Sequence, residues 1–385
     1  MVQDLGQLIP ALQAAKKSLQ AIEPLTREQR LDNLAKLAEA WGREFESATA
    51  AQLAQESGLS ETLVRAWDFA GAKAYLRSWL QGEIAASQSA VTEGAVARVQ
   101  HQPRGVISLL QPRFHGPRLF IERFAPAYLA GNPVLVKMSS KTPTAAVLVD
   151  RWLREAGIPE EHAVVVGGQS ADYANLLVKH PAVSAVSAVG RRETLLAIYK
   201  DCAELGRAFQ GFAGGRATMF VMDVQDADAW GKLLGSSLED GKGQRPYDNL
   251  RVFVLEKDEK TQLANLETAM SRFPQARLSG HLTQCSEDHQ AEALGPVILF
   301  SSIKYPFDLA KWVNNASTGF AVQMFGPLER LEKIAPKLDV GAILANRDFD
   351  PAESVLFGTK ESVIGDTQLS STGSFFSQRT QRRGL

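Results

Sequence analysis

Residues 103–146 read PRGVISLLQPRFHGPRLFIERFAPAYLAGNPVLVKMSSKTPTAA, and the order of textures in this stretch decides the fold. A turn at Pro103 to Gly105 leads into the apolar, β-branched run 106–110, which reads as a buried strand. A helical pattern follows at about 118–130, then a second strand at 133–137 and a second helix at 142–156. Further strands fall at 163–166 and 183–189, each followed by a helical stretch, 170–179 and 191–204. Strands separated by helices of this length pair in parallel, because the crossover must return the chain to the same edge of the sheet. The expectation is a doubly wound, Rossmann-like α/β domain.

Upstream, the first ninety residues are helical in period, with Thr26 placed to cap a helix and no proline from Arg27 to Val91. Downstream, strands are expected near 217–222, 250–255, 296–300 and 319–323, giving a second, smaller α/β unit. The ending QLSSTGSFFSQRTQRRGL has no helical period and reads as a frayed tail or as a strand docked on another subunit. At 385 residues the chain suits two domains of ordinary size. The expected division is 1–240 for the helices and dinucleotide-type domain, 241–366 for the reduced second domain, and 367–385 for the tail.

Composition narrows the function classes. The chain is 45% hydrophobic and 22% charged, as a packed globular protein requires. Lys plus Arg number 42 against 43 for Asp plus Glu, so no net field draws it to nucleic acid or to acidic membranes. The start lacks a basic segment followed by an apolar block, and no run of 18 apolar residues occurs, so a cytoplasmic protein is expected. Two cysteines, Cys202 and Cys285, make no disulfide framework and fit a reducing compartment.

With five segments in order, the sequence resembles the aldehyde dehydrogenase superfamily. They are the stretch above, VKHPAVSAVSAVGRRET, AGGRATMFVMDVQDADAW, EALGPV and VNNASTGFAVQMF. The resemblance spans about residues 25–365 and implies a Rossmann-like cofactor domain, a catalytic-type α/β domain and a bridging hairpin. The hairpin falls near 92–104 and pairs in the family with the tail of a partner subunit, so a homodimer is expected. The catalytic half is short, as though a strand and a helix were missing.

The cofactor side of the resemblance is populated. It implies that Lys137 reaches the adenosine ribose and Glu292 the nicotinamide ribose, residue types whose donors and acceptors suit vicinal hydroxyls. Gly190 ends a strand and opens a helix, where free N–H groups favour a pyrophosphate. Gly168 would permit close approach of the adenine. Ser140 stands where many NAD-preferring members carry a glutamate, so either NAD or NADP is admitted. Arg191 replaces a small residue beside the pyrophosphate, with attraction and obstruction both open.

The chemical side is not populated. In GQRP, Pro246 takes the place of the nucleophilic cysteine, and proline has neither a thiol nor an N–H to donate to an oxyanion. Phe114 takes the place of the oxyanion asparagine, and Phe212 in GFAGG that of the general base. Glu204 lies about two helical turns too early to replace it. The run GKGQRPYDN also resembles the nucleophile segment of glutamyl phosphate reductases, where the cysteine falls on Asp248 after a one-residue deletion.

Arg113 and Arg245 would flank the cleft, with His115 and Arg118 beside Arg113, and a small-anion site there is an alternative to exposed, solvated arginines. His281, Cys285 and His289 are four apart, but without a fourth ligand they read as a polar helix face, so no metal is expected. Two functional readings remain. One is a binding or scaffold pseudoenzyme that keeps the fold and holds a dinucleotide. The other is an NAD(P)-dependent oxidoreductase acting on an aldehyde, semialdehyde or acyl phosphate without a thiol.

Overall fold

The computed structural model describes residues 1–2, 4–20, 25–42, 48–89, 97–168, 171–215, 217–222, 224, 226–235, 238, 251–279, 297–353, 358–366 and 377–383. Helices α1 (Leu5–Ser18), α2 (Arg27–Ala40), α3 (Ala48–Ser57) and α4 (Glu61–Leu63) come first, then a π-helical segment Val64–Gly71 and α5 (Ala72–Ser89). As the sequence suggests, Thr26 caps α2: its hydroxyl accepts from Gln29 N at 3.2 Å, and Gln29 Oε1 accepts from Thr26 N at 2.8 Å.

Strand β1 (Ala97–Pro103) leads into the first sheet. Its parallel strands are β2 (Val106–Leu110), β3 (Val134–Lys137), β4 (Ala163–Val166), β5 (Val183–Val189) and β6 (Ala208–Phe212). The intervening helices are α6 (Gly116–Leu129), α7 (Pro143–Glu155), α8 (Ala171–Lys179) and α9 (Arg192–Glu204). Every residue of β2, β3 and β4 is buried, which is why these strands are almost wholly apolar. All of α6 is buried too, so its Glu122 and Arg123 must find partners inside the protein.

The second sheet holds β7 (Thr218–Val221), β8 (Arg251–Leu255), β9 (Arg277–Ser279), β10 (Val297–Ile303), β12 (Ala321–Phe325) and β13 (Ala342–Ala345), in the order β13-β12-β7-β8-β10-β9. The short strands β11 (Thr318–Gly319) and β14 (Thr359–Lys360) pair with each other. A last strand, β15 (Val363–Gly365), returns to the first sheet and lies antiparallel to β6, completing the order β15-β6-β5-β2-β3-β4. The second sheet therefore starts before residue 240 and the first sheet recruits a strand after it. The first sheet reverses its order between β2 and β5, the place where doubly wound sheets take ligands.

Part of the tail forms a strand. The structure shows residues 97–103 as one strand, whose partner is β16 (Ser377–Arg383) of the same chain, in register from Ala97↔Arg383 to Pro103↔Ser377. A strand's partner this distant in sequence leaves no local signal, whereas the missing helical period of the tail was readable. No helix among the described residues is long and apolar enough to cross a membrane.

Candidate functional site

Of the expected cofactor residues, Lys137, Gly168 and Gly190 lie at the C-terminal ends of strands of the first sheet. Lys137 closes β3, and its Nζ donates to Met138 O at 2.7 Å and Gly168 O at 3.0 Å. Burial pulls its pKa below the usual lysine value. Gly168 has φ +83°, and a Cβ there would lie 3.1 Å from the Tyr173 ring, so that side of the glycine is filled by the protein. Gly190 differs: its N–H donates to Phe212 O at 3.2 Å, and a Cβ there would meet nothing within 4 Å. It opens onto α9, whose N-cap is Arg191 and whose first turn receives no side-chain cap. Ser140 and Arg191 are exposed. Glu292, Pro246 and Arg245 lie outside the described residues, as do Asp248, His281, Cys285 and His289.

Phe114 and Phe212, read separately from the sequence, come together. Phe212 and Leu119 are each 3% exposed and form one apolar cluster, with Phe114, Val189 and Val363 packed against it. The topology accounts for this. Phe212 ends β6, where it is in register with Val189 of β5 and Val363 of β15. Leu119 comes from the first turn of α6, and Phe114 from the segment joining β2 to that helix.

Arg113 turns elsewhere. It is exposed, and its Nε donates to Glu56 O at 3.1 Å; the Glu56 carboxylate accepts from Thr144 N at 3.0 Å and Thr144 Oγ1 at 2.6 Å at the start of α7. Arg118 is fully buried, paired with Glu122 at 2.7 Å, donating to Pro351 O and Glu353 O, and stacked on Tyr75 at 4.4 Å. His115 occupies the left-handed region at φ 47° and holds Asp68 Oδ2 through Nδ1 at 3.1 Å, while Asp68 Oδ1 accepts from Arg118 N at 3.2 Å. Arg113 thus serves Glu56, while His115 and the Arg118 backbone are both held by Asp68, so the three are not gathered at one site.

A polar layer was not anticipated. Arg123 Nη1 donates to Ser187 O at 2.9 Å, its Nη2 donates to Gln111 Oε1, and Ser187 Oγ donates to Gln210 Oε1 at 2.9 Å. The available signal was a charged pair, Glu122 and Arg123, inside the otherwise apolar helix LFIERFAPAYLAG. Gln111, Ser187 and Gln210 carry no such signal, because strand pairing alone brings them together.

Cys202 is completely buried on α9, and burial pushes its thiol up to about 11. No group of three His, Cys, Asp or Glu residues among the described residues is placed to hold a metal ion. A cavity of about 390 Å³ lies at the opposite edge of the sheet, between α1 and β4, lined in part by Asp150, Glu160 and Glu161.

The fold matches known proteins across almost the whole chain. The solved oxidoreductase from Marinobacter aquaeolei superposes with a TM-score of 0.84 at 19% identity, covering 98% of this chain and 90% of that one. The indole-3-acetaldehyde dehydrogenase of P. syringae, solved as a cysteine-to-alanine mutant in complex with NAD+ and IAA, gives 0.84 at 16% identity over 99% and 89%. In sequence, an N-succinylglutamate 5-semialdehyde dehydrogenase of Caulobacter vibrioides is 34% identical over 197 residues, which are 50% of this chain and only 41% of that protein. The model of the aldehyde dehydrogenase family matches residues 3–277 and 273–381. With the sheet order and this match in agreement, the chain belongs to the aldehyde dehydrogenase family.

Proposed function

We propose that this protein binds NAD or NADP across the C-terminal ends of its first sheet and does not oxidise aldehydes by a thiol route. The observation that carries the second half is the apolar cluster of Phe114, Phe212 and Leu119. By the resemblance, Phe114 and Phe212 stand where an oxyanion donor and a general base would act. A phenyl ring can neither donate to an oxyanion nor take a proton. In the sequence, Pro246 adds the loss of the nucleophile. The one described thiol, Cys202, is buried on a helix with its pKa raised, the reverse of what activates a nucleophile.

The residues present fit a dinucleotide. Lys137 spends two of its three N–H groups on carbonyls and keeps one for a ribose hydroxyl. The space at Gly190 and the uncapped start of α9 suit a pyrophosphate. Ser140 brings no negative charge against a 2′-phosphate, and Glu292 completes the set on the nicotinamide side by resemblance. When bound, the nicotinamide supplies a hydride acceptor; this chain's residues orient it. The P. syringae relative, solved with NAD+ in a mutant lacking one cysteine, supports binding without a full thiol set. A homodimer is the assembly we expect, since a two-stranded ribbon such as β1 with β16 is marginal unless something covers it.

Calorimetric titration of NAD and NADP into the protein and into Lys137→Met tests the reading. Saturable heat in the parent, with affinity lowered about tenfold in the variant for a lost charge-assisted hydrogen bond, is the expected result. No heat with either dinucleotide overturns it.

A further inference from the structure

The cavity of about 390 Å³ at the outer edge of the first sheet takes no part in dinucleotide binding as proposed. Its volume falls in the range of small-molecule sites, about 300–1,000 Å³. One wall is α1. Gln7, Ala11 and Ala14 follow each other at four and then three residues, so they share a face of that helix. Leu8, Leu12 and Ala15, each 0% exposed, turn the neighbouring face into the core. The facing wall is Ala163, Val164 and Val165 of the edge strand β4. Val2 joins the outer side of that strand: its N donates to Val165 O and its O accepts from Gly167 N, both at 2.9 Å. Side chains this short on both walls leave the space between them unfilled.

Every charged side chain among the described lining residues is acidic. Asp150 is already spent: Oδ2 accepts from the Met1 ammonium at 3.3 Å, and Oδ1 lies 4.0 Å from Arg154 Nε. Arg154 also donates to Ile158 O at 2.7 Å and to Ala163 O. Those two bonds clamp the turn from α7 to β4, and the turn carries Glu160 and Glu161. Both glutamates are exposed, so they stand at the mouth of the cavity. Among the described residues neither has an ion-pair or hydrogen-bond partner. The adjacent His162 supplies no charge near neutral pH, because burial lowers its pKa.

Met1 displays the kind of group these walls accept. Its ammonium rests on a carboxylate while its thioether lies beside Gly167, a cation joined to an apolar body.

We propose that this cavity binds a primary alkylamine in its protonated form, with the ammonium held by Glu160 and Glu161 and the alkyl chain laid along Ala11, Ala14 and Val164. A carboxylate of the same length is repelled by the acidic mouth, and a neutral alcohol gains only the burial of its chain. The site shares no residue with Lys137, Gly168 or Gly190, so it and the dinucleotide site stand or fall separately.

The test titrates hexylamine, hexanol and hexanoate at pH 7 into protein labelled with ¹³C at the alanine methyls, following Ala11, Ala14 and Ala163 alongside calorimetry. Hexylamine, protonated at that pH as lysine is, should shift all three methyls saturably, with hexanol at least about tenfold weaker and hexanoate without effect. Glu160→Gln combined with Glu161→Gln changes only exposed positions. It should weaken hexylamine about tenfold, the equivalent of two exposed ion pairs, and leave hexanol unchanged. Ala11→Phe fills the cavity and should abolish binding of hexylamine; if it fails to fold, Ala14→Phe blocks the same wall from an exposed position. Unmoved alanine methyls would overturn the proposal. So would equal affinity for hexylamine and hexanol, or full hexylamine affinity in the glutamine pair or in the folded phenylalanine variant.

Discussion

The packing of Phe114 and Phe212 into one cluster is open to direct measurement. Phe212 is 3% exposed, and deleting a buried phenyl ring typically costs about 3–5 kcal/mol. Among the described residues its cluster has one other buried member, Leu119, with three half-buried neighbours that can move into the space. Collapse of that kind holds the cost to the low end, so Phe212→Ala should destabilise by about 3 kcal/mol. Phe114 is only half-buried, and Phe114→Ala should cost about half as much. Because the two rings share one cluster, the double variant should lose less than the sum of the singles, by about 0.5–1.5 kcal/mol. Urea unfolding of the four proteins, followed through the transition of the first sheet, supplies the cycle. Strict additivity, to within about 0.3 kcal/mol, would mean that the rings do not pack together and that the cleft is not closed by them.

Other consequences can be checked alongside. Arg118→Met removes the guanidinium paired with buried Glu122 at 2.7 Å and should cost about 3–5 kcal/mol in urea unfolding, most of it regained when Glu122→Leu is added. Cys202, with its pKa raised from 9.0 to about 11, should carry a thiolate fraction roughly 100-fold below that of a free thiol near neutral pH; alkylation should proceed only after unfolding. Because the native state favours the neutral thiol, this contribution to stability is complete below pH 9 and is lost as pH rises through about 11; the parent should lose stability faster than Cys202→Ala over that window. Thr26→Ala removes the capping box of α2 and should lower stability by about 1 kcal/mol.

The doubly wound half of the fold was legible because each of its elements carries its own signal. β2 to β5 are short apolar runs bounded by helices, and their observed limits fall within a few residues of those the periodicity gives. β6 escaped notice: AFQGF has a glycine and a glutamine in a five-residue strand, and only its neighbours β5 and β15 make it one. β15 and β16 depend on partners far away in sequence, which no local pattern encodes. At the site, the resemblance sets Phe114 and Phe212 against the oxyanion and general-base positions residue by residue, but their shared cluster required the sheet register. Arg113 looked like a cleft residue because of its neighbours in sequence; it bonds to Glu56 O because α3 lies against the start of α7.

Turnover is the most direct test of the central claim. The parent protein, saturated with NAD or NADP, is incubated with a panel of aliphatic, aromatic and semialdehyde substrates, and the absorbance of the reduced nicotinamide is followed beside a no-enzyme control. On the proposal that Phe114 and Phe212 stand in place of an oxyanion donor and a general base, the expected result is no rate above the control while the dinucleotide remains bound. Sustained, aldehyde-dependent reduction of the cofactor by the parent would contradict the account.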